Sequence, residues 1–144
     1  MTLEIPRHTS PDSLFESLWL ESPNRIGRGT SRDVYEISGH PDKVLKVSSG
    51  PSNYSNWMEI LVYCQFKDTG GLAELLSWSW SGKFLIMERL APLDPGDLDS
   101  HRAPSYLTDR KPENYGKDSS GKIKALDYAA LALASPSSDF FGLF

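Results

Sequence analysis

A cluster of polar residues in the last third of the chain has types and spacing suited to phosphate chemistry. Asp109, Lys111, Pro112 and Asn114 lie within six residues, and Asp127 follows thirteen residues after Asn114. An aspartate beside a hydroxyl can act as its general base, and amide and carboxylate oxygens are ligands that magnesium accepts. Four fixed residue types in six should arise by chance in a chain this long roughly once in a thousand. Phosphoryl transfer is one reaction that these residue types could serve, since it needs an aspartate beside the attacking hydroxyl, oxygen ligands for magnesium and positive charge on the phosphates.

The elements that must position this cluster are predicted from the hydrophobic pattern. Ser10 should cap a first helix with Pro11 at its first position, and this helix carries an apolar stripe from Leu14 to Trp19. A strand pair is predicted at 25–38, single strands at 43–47, 75–80, 84–90 and 123–126, and a second helix at 53–66. Residues 91–104 should form a loop or linker. Periodicity alone indicates an α+β protein.

The motif from Asp109 to Asn114 resembles the catalytic loop of eukaryote-type Ser/Thr protein kinases. The resemblance implies a protein-kinase-like fold, with a five-stranded antiparallel N-terminal lobe, one main helix and a minimal C-terminal catalytic hairpin. It implies that Asp109 accepts the hydroxyl proton and that Lys111 steadies the γ-phosphate, while Asn114 and Asp127 bind magnesium. The corresponding division is an N-terminal helical extension at 1–21, the N-terminal lobe at 22–91, and the linker, reduced lobe and tail at 92–144.

Upstream residues complete the same resemblance and imply ATP as the cofactor, with magnesium. Gly27 and Gly29 resemble the glycine-rich phosphate loop, although Arg32 replaces its third glycine. Lys46 is similar to the lysine that reaches the α- and β-phosphates, and Glu59 would hold it as an ion pair from an inward helix face. Taken singly, each feature has a more common explanation. Two glycines near a strand usually mark a tight hairpin, a strand lysine is usually solvated, and a helix glutamate usually lies on the surface.

The predicted strand at 84–90 resembles the fifth strand of the kinase lobe as it enters the hinge. Met87 would then line the back of an adenine pocket, and the backbone from Glu88 to Leu90 would meet the adenine edge. An ordinary buried strand is the alternative interpretation, and both can hold together.

The chain also departs from the family pattern, over a resemblance that spans residues 22–131. Leu107 and Thr108 replace the usual His-Arg before the catalytic aspartate, and Ala129 replaces the glycine of Asp-Phe-Gly. Only fifteen residues follow Ala129, so the peptide-docking helical lobe is expected to be absent. The apolar surface that this would leave must then be covered, by the tail from Phe140 to Phe144 and the first helix, by a second copy in a homodimer, or by another protein.

The composition limits the classes of partner that the protein is expected to bind. The formal net charge is −4, which argues against a nucleic-acid or anionic-membrane binder. No apolar run approaches the ~20 residues of a membrane span, and the first residues lack signal-peptide character, so a cytoplasmic location is expected. The single cysteine, Cys64, lies in an apolar stretch and is predicted to be a buried, inert thiol.

Two functions of different classes fit these observations. The first is a minimal phosphotransferase that uses Mg-ATP on a Ser/Thr hydroxyl of a protein substrate. The second is a pseudokinase-like module that binds or inhibits a partner protein without catalysis, which Arg32, Ala129 and the missing lobe favour. A third interpretation, a small-molecule kinase related to aminoglycoside phosphotransferases, fits less well, because those enzymes usually carry a histidine near the loop aspartate and lack the Lys-Pro pair.

Overall fold

A computed structural model describes residues 3–7, 9–29, 31–50, 53–99, 101 and 112–128. These residues form an α+β structure with a five-stranded antiparallel sheet and two α-helices, as predicted. The chain divides into two compact units. The first unit is Met1–Trp57 with Glu74–Arg89, and the second unit is Met58–Ala73 with Leu90–Phe144. The sequence had instead suggested a division at residue 91, with the whole of the second helix on the N-terminal side.

The five-stranded sheet belongs entirely to the first unit. Its strands are β1 (Arg25–Arg28), β2 (Arg32–Ile37), β3 (His40–Ser48), β4 (Leu75–Trp78) and β5 (Phe84–Glu88). Their spatial order is β1-β2-β3-β5-β4, and all neighbours are antiparallel. The predicted turn between β4 and β5 is present, and Gly82 adopts a left-handed φ of 79° there. A side chain at Gly82 would also collide with the Trp57 indole, so both space and backbone favour glycine.

One face of the sheet is covered by helix α1 (Asp12–Leu20). Phe15 is fully buried and stacks on Phe84 with ring centroids 6.0 Å apart. Leu45 and Ile86, which are cross-strand partners, join the same cluster. Burial of these large apolar side chains is the main stabilising contribution to this face, at roughly 1.5–3 kcal/mol per side chain.

The start of α1 differs from the prediction. The N-cap residue is Pro11, no side chain caps the helix, and the hydroxyl of Ser10 donates instead to the carbonyl of Arg7. The predicted apolar stripe is also narrower than expected, because Leu14 is half exposed while Phe15 and Leu18 are buried. The N–H of Trp80 donates to the carbonyl of Ser10 at 3.0 Å, which places this segment beside the sheet edge.

The other face of the sheet carries the predicted nucleotide lysine. Successive side chains of a strand point to opposite faces, and directly paired residues share a face. Lys46 pairs with Leu85, and Val44 pairs with Met87, so these four side chains lie opposite α1. All four are buried.

The second unit is built around a helix segment and a small hairpin. Helix α2 spans Tyr54–Phe66 and contributes its residues from Met58 onward to this unit. Strands β6 (Tyr115–Lys117) and β7 (Ile123–Ala125) form an antiparallel hairpin, preceded by a 3₁₀ turn at Pro112–Asn114. Ala125 exchanges hydrogen bonds with the segment before β4: its carbonyl accepts from Ala73 at 2.8 Å and its N–H donates to Gly71 at 2.9 Å.

The prediction that Cys64 is buried is wrong: the thiol is exposed. Leu61, one turn earlier, is also exposed. The cause is that α2 buries the neighbouring stripe that contains Met58, Glu59 and Val62. Both faces of this helix are apolar enough that periodicity did not distinguish them. In the described part of the chain, neither helix combines the length and the apolar character needed to cross a membrane.

Candidate functional site

Lys46 lies in the middle of β3 and its side chain is only 4% exposed. Its direct cross-strand neighbours are Val34 on β2 and Leu85 on β5, both apolar. Removing an ammonium group from water costs several kcal/mol, by order of magnitude, unless the charge is paired. The ammonium group of Lys46 therefore needs a charged or polar partner, unlike that of a lysine on a solvated strand.

The glycine-containing turn joins β1 to β2 in the same unit. The N–H of Gly29 donates to the carbonyl of Arg32 at 2.7 Å, which closes the turn tightly. A Cβ atom at Gly29 would lie 3.3 Å from that carbonyl oxygen, and one at Gly27 would lie 3.3 Å from Cβ of Val34. Both positions are therefore tight, and a methyl group at either would fit only if its neighbour moved by a few tenths of an ångström.

Arg32 replaces the third glycine of the loop pattern and is buried. Its Nη1 atom donates to Oδ1 of Asn56 at 3.2 Å. Asn56 is fully buried and was not singled out from the sequence, because a polar residue in the first turn of a helix is usually solvated. No local signal could have revealed it, since its partners are distant along the chain.

The predicted hinge residues are placed as follows. Met87 is buried and pairs with Val44, as a wall residue should. The N–H of Glu88 donates to the carbonyl of Glu74 at 2.9 Å, and the Glu88 carboxylate accepts the N–H of Glu74 at 2.9 Å. The N–H of Glu88 is thus already bonded, and a bound adenine would need other groups as its hydrogen-bond partners. Leu90, at the start of the second unit's later segment, is partly buried.

The two predicted metal ligands are brought together within the second unit. The N–H of Leu126 donates to the carbonyl of Asn114 at 2.8 Å, directly beyond the first register pair of the hairpin, Tyr115 with Ala125. Asp127 is the next residue. The backbones that carry Asn114 and Asp127 are therefore held side by side, as the metal-ligand prediction requires.

The chemistry of this donor pair suits magnesium. Mg²⁺ prefers oxygen ligands, usually keeps several waters, and is commonly bound through one or two protein groups and substrate phosphates. An amide oxygen from Asn114 and a carboxylate from Asp127 meet that pattern. Within the residues that the structure describes, no group of three or more His, Cys, Asp and Glu side chains could hold a metal on its own.

Glu59 is fully buried, which confirms the predicted inward face of α2. Its Oε2 atom accepts the N–H of Tyr128 at 3.0 Å, so this carboxylate is bonded to the residue that follows Asp127. The hydroxyl of Tyr128 donates in turn to the carbonyl of Ala73 at 3.2 Å. Lys46 and Glu59 belong to different units, and their predicted ion pair stays a prediction.

The catalytic residues of the predicted loop, Asp109 and Lys111, lie outside the described residues, as do Ala129 and the apolar tail. Their assigned roles remain predictions from the sequence.

Sequence reasoning also missed a charged cluster that fixes the linker to the hairpin. Nζ of Lys117 lies 3.0 Å from the carboxylate of Asp94 and 2.8 Å from that of Asp97. These two carboxylates raise the pKa of Lys117, that of Asp97 foremost. Together with the paired hydrogen bonds between Ala91 and Lys117, they hold residues 91–97 against β6. A segment rich in proline and aspartate had indicated only a loop.

Comparison with known proteins gives little further information. No family model matches the chain, and no curated protein matches it. Among solved structures, the co-crystal structure of WbdD with the kinase inhibitor LY294002 is 15% identical, with a TM-score of 0.42. The match covers 71% of this chain and 31% of that one, so the chain spans about a third of the WbdD chain. Similarity at this level shows neither a family nor a function.

Proposed function

We propose that the protein is a minimal kinase-like phosphotransferase, which binds ATP with magnesium and transfers the γ-phosphate to a Ser/Thr hydroxyl of a protein. The observation that supports this most is the arrangement around Asp127. Asn114 is bonded to the residue before it, and the buried carboxylate of Glu59 is bonded to the residue after it. All three residues belong to the pattern that resembles the kinase family, and the second unit contains all of them.

Each residue has a distinct role in the proposal. Lys46 would neutralise phosphate oxygens, and Glu59 would orient the lysine while it fixes the backbone after Asp127. Asn114 and Asp127 would bind the magnesium ion, which neutralises phosphate charge when it is bound. Asp109 would accept the proton of the attacking hydroxyl, and Lys111 would contact the γ-phosphate.

The binding part of the proposal is tested by titrating the protein with ATP in the presence and absence of magnesium, using calorimetry. Lys46→Met should abolish measurable binding, and its melting temperature is measured alongside, because removal of a buried charge from its partners can also destabilise the fold. Lys43→Met is the matched control, since Lys43 lies on the same strand and its Nζ atom lies 2.9 Å from the exposed carboxylate of Asp42. Equal binding by the parent and Lys46→Met would contradict the proposal.

The catalytic part is tested by phosphate transfer from labelled ATP to a mixture of candidate protein substrates. Positioning of a general base is typically worth 10²–10⁴ in rate, so Asp109→Ala should abolish detectable transfer while ATP binding is kept. If that variant labels substrates as well as the parent does, Asp109 is not the base.

A second candidate function is a pseudokinase-like module that binds or inhibits a partner protein. The buried side chain of Arg32 favours it, because it stands where the phosphate loop normally has its third glycine. This function predicts no magnesium-dependent nucleotide binding and no effect of Lys46→Met in any assay. The titration described above therefore distinguishes the two candidates.

A further inference from the structure

The side-chain amide of Asn56 connects helix α2 to three other segments of the first unit. It accepts a hydrogen bond from Nη1 of Arg32 at 3.2 Å. Its Nδ2 atom donates to the carbonyls of Gly82 at 2.8 Å and Lys83 at 2.9 Å, and lies 3.5 Å from the carbonyl of Lys46. One fully buried side chain thus contacts the start of β2, the strand that carries the nucleotide lysine, and the turn between β4 and β5.

Arg32 is also the residue on which the glycine-containing turn closes. Its carbonyl accepts the N–H of Gly29 at 2.7 Å. Two further contacts fix the same end of the turn: the hydroxyls of Ser31 and Ser55 lie 2.7 Å apart, and the carbonyl of Ser31 accepts the N–H of Ser49 at 2.9 Å. The turn is therefore fastened to the first turn of α2 and to the end of β3.

We propose that Arg32 and Asn56 are a positioning pair that holds the turn from Gly27 to Gly29 in the conformation that receives the phosphates. This inference rests on the proposed nucleotide-binding function. A loop that is free to move binds a ligand only in the fraction of molecules in which it is correctly placed, and the apparent Kd rises by that factor. The Arg32 side chain compensates for the missing third glycine by keeping the turn in place.

The alternative interpretation of Arg32 predicts the opposite effect on nucleotide binding, so the two can be distinguished by experiment. If Arg32 is only a degenerate replacement of a phosphate-loop glycine, restoring glycine should improve nucleotide binding or leave it unchanged. If Arg32 positions the turn, Arg32→Gly should weaken it. A turn that is correctly placed about one-tenth of the time would raise the Kd for Mg-ATP about tenfold.

The experiment compares Arg32→Gly with Arg25→Gly by calorimetric titration with Mg-ATP. Arg25 is an exposed arginine of β1 outside the turn, so its replacement controls for lost positive charge and for an added glycine. We expect a rise in Kd of about tenfold for Arg32→Gly and of less than about threefold for Arg25→Gly. An unchanged or lower Kd for Arg32→Gly would overturn the inference, as would equal effects of the two variants.

A second variant separates positioning from general stability. Asn56→Asp keeps an acceptor for Arg32 but loses the donors to the carbonyls of Gly82 and Lys83. It should lower the melting temperature and leave the Kd within about threefold of the parent value at a temperature well below unfolding. If it weakens binding as much as Arg32→Gly does, binding follows stability and the positioning role is refuted.

Amide hydrogen exchange tests the inference without any nucleotide. The N–H of Gly29 and that of Ser49 report on the two ends of the fastened turn. Both should exchange about tenfold faster in Arg32→Gly than in Arg25→Gly, since local opening sets the exchange rate. If the parent binds no nucleotide but this difference is seen, the proposed function fails while the Arg32–Asn56 contact stands as a turn-holding device. Unchanged exchange would refute the inference whatever the nucleotide result.

Discussion

A single methyl group at Gly116 should strongly lower the stability of the second unit. Gly116 lies in the middle of β6, two residues after Asn114. A Cβ atom there would stand 2.6 Å from Cβ of Leu90, 2.8 Å from the carbonyl oxygen of Ala91 and 3.3 Å from a methyl group of Leu126. Two of these contacts are to backbone or to the first side-chain carbon, which rotamer changes cannot move.

The magnitude of the effect of Gly116→Ala follows from these contacts. Overpacking a tight site typically costs about 1–3 kcal/mol. Separation of the strands also weakens the two hydrogen bonds between Ala91 and Lys117, now 2.8 and 2.9 Å, which contribute about 1 kcal/mol each. The free energy of unfolding should fall by about 2–4 kcal/mol, and at ~4 °C per kcal/mol the melting temperature should fall by about 8–16 °C.

Thermal unfolding followed by circular dichroism measures this change, with two glycines as matched controls. Gly50→Ala meets no atom of the described residues within 4 Å and should change the stability by less than about 1 kcal/mol. Gly121→Ala also meets no described atom, but its φ of 88° strains an alanine by about 1–2 kcal/mol. If Gly116→Ala is no more destabilising than Gly50→Ala, the contact between residues 90–91 and β6 is wrong.

Three further predictions concern single side chains. The buried hydroxyl of Ser77 has no hydrogen-bond partner among the described residues, so Ser77→Ala should raise the free energy of unfolding by about 1 kcal/mol. The hydroxyl of Ser79 accepts the backbone N–H of Phe84 at 3.2 Å, so Ser79→Ala should lower the free energy of unfolding by about 1 kcal/mol. Urea unfolding of the pair measures both, and equal signs would contradict the assignment. Hydrogen bonds, first of all from the hydroxyl of Ser120, hold the pKa of Asp118 well below its usual 3.8. The stability that Asp118 contributes is therefore present above pH 3.8 and lost as the pH falls below it, so the stability difference between the parent and Asp118→Asn should be constant from pH 5 to 8 and shrink in acid. Cys64 should react with a thiol reagent, one group per chain, without denaturant, whereas a thiol that reacts only after unfolding would refute its exposure.

The sheet could be predicted from the sequence because its strands carry strong local signals. Strand β3 was expected at 43–47, with Lys46 pointing opposite to Leu45 and Val47, and it spans His40–Ser48 because pairing with β2 extends both ends. The C-terminal hairpin was predicted, but its first strand, β6, was given no bounds. Its three residues include Gly116 and show no alternation, and pairing with β7 and Ala91 makes them a strand. Non-local pairing of this kind leaves no periodic signal in a short segment.

The site residues Asn114, Asp127 and Glu59 were chosen from the resemblance and its spacing, and their roles stay predictions. The structure shows only that hydrogen bonds join Asn114 and Glu59 to the residues on either side of Asp127. Asn56 was missed because its function depends on Arg32 and on the carbonyls of a turn far along the chain. The burial of Arg32 was missed for the same reason, since a charged residue beside glycines normally indicates a solvated loop.

The buried charges do not argue equally for a nucleotide site. The carboxylate of Glu59 accepts the N–H of Tyr128, so the second unit needs this side chain for its own structure even if no nucleotide ever binds. Lys46 is buried in the first unit, on the sheet face opposite the apolar cluster, and its carbonyl lies 3.5 Å from the amide nitrogen of Asn56. Burial of its ammonium group costs several kcal/mol, by order of magnitude, unless the charge is paired, and nucleotide phosphates would be one such partner. Lys46 therefore bears on the phosphate-binding part of the proposal, whereas the arrangement around Asp127 bears on the metal-binding part.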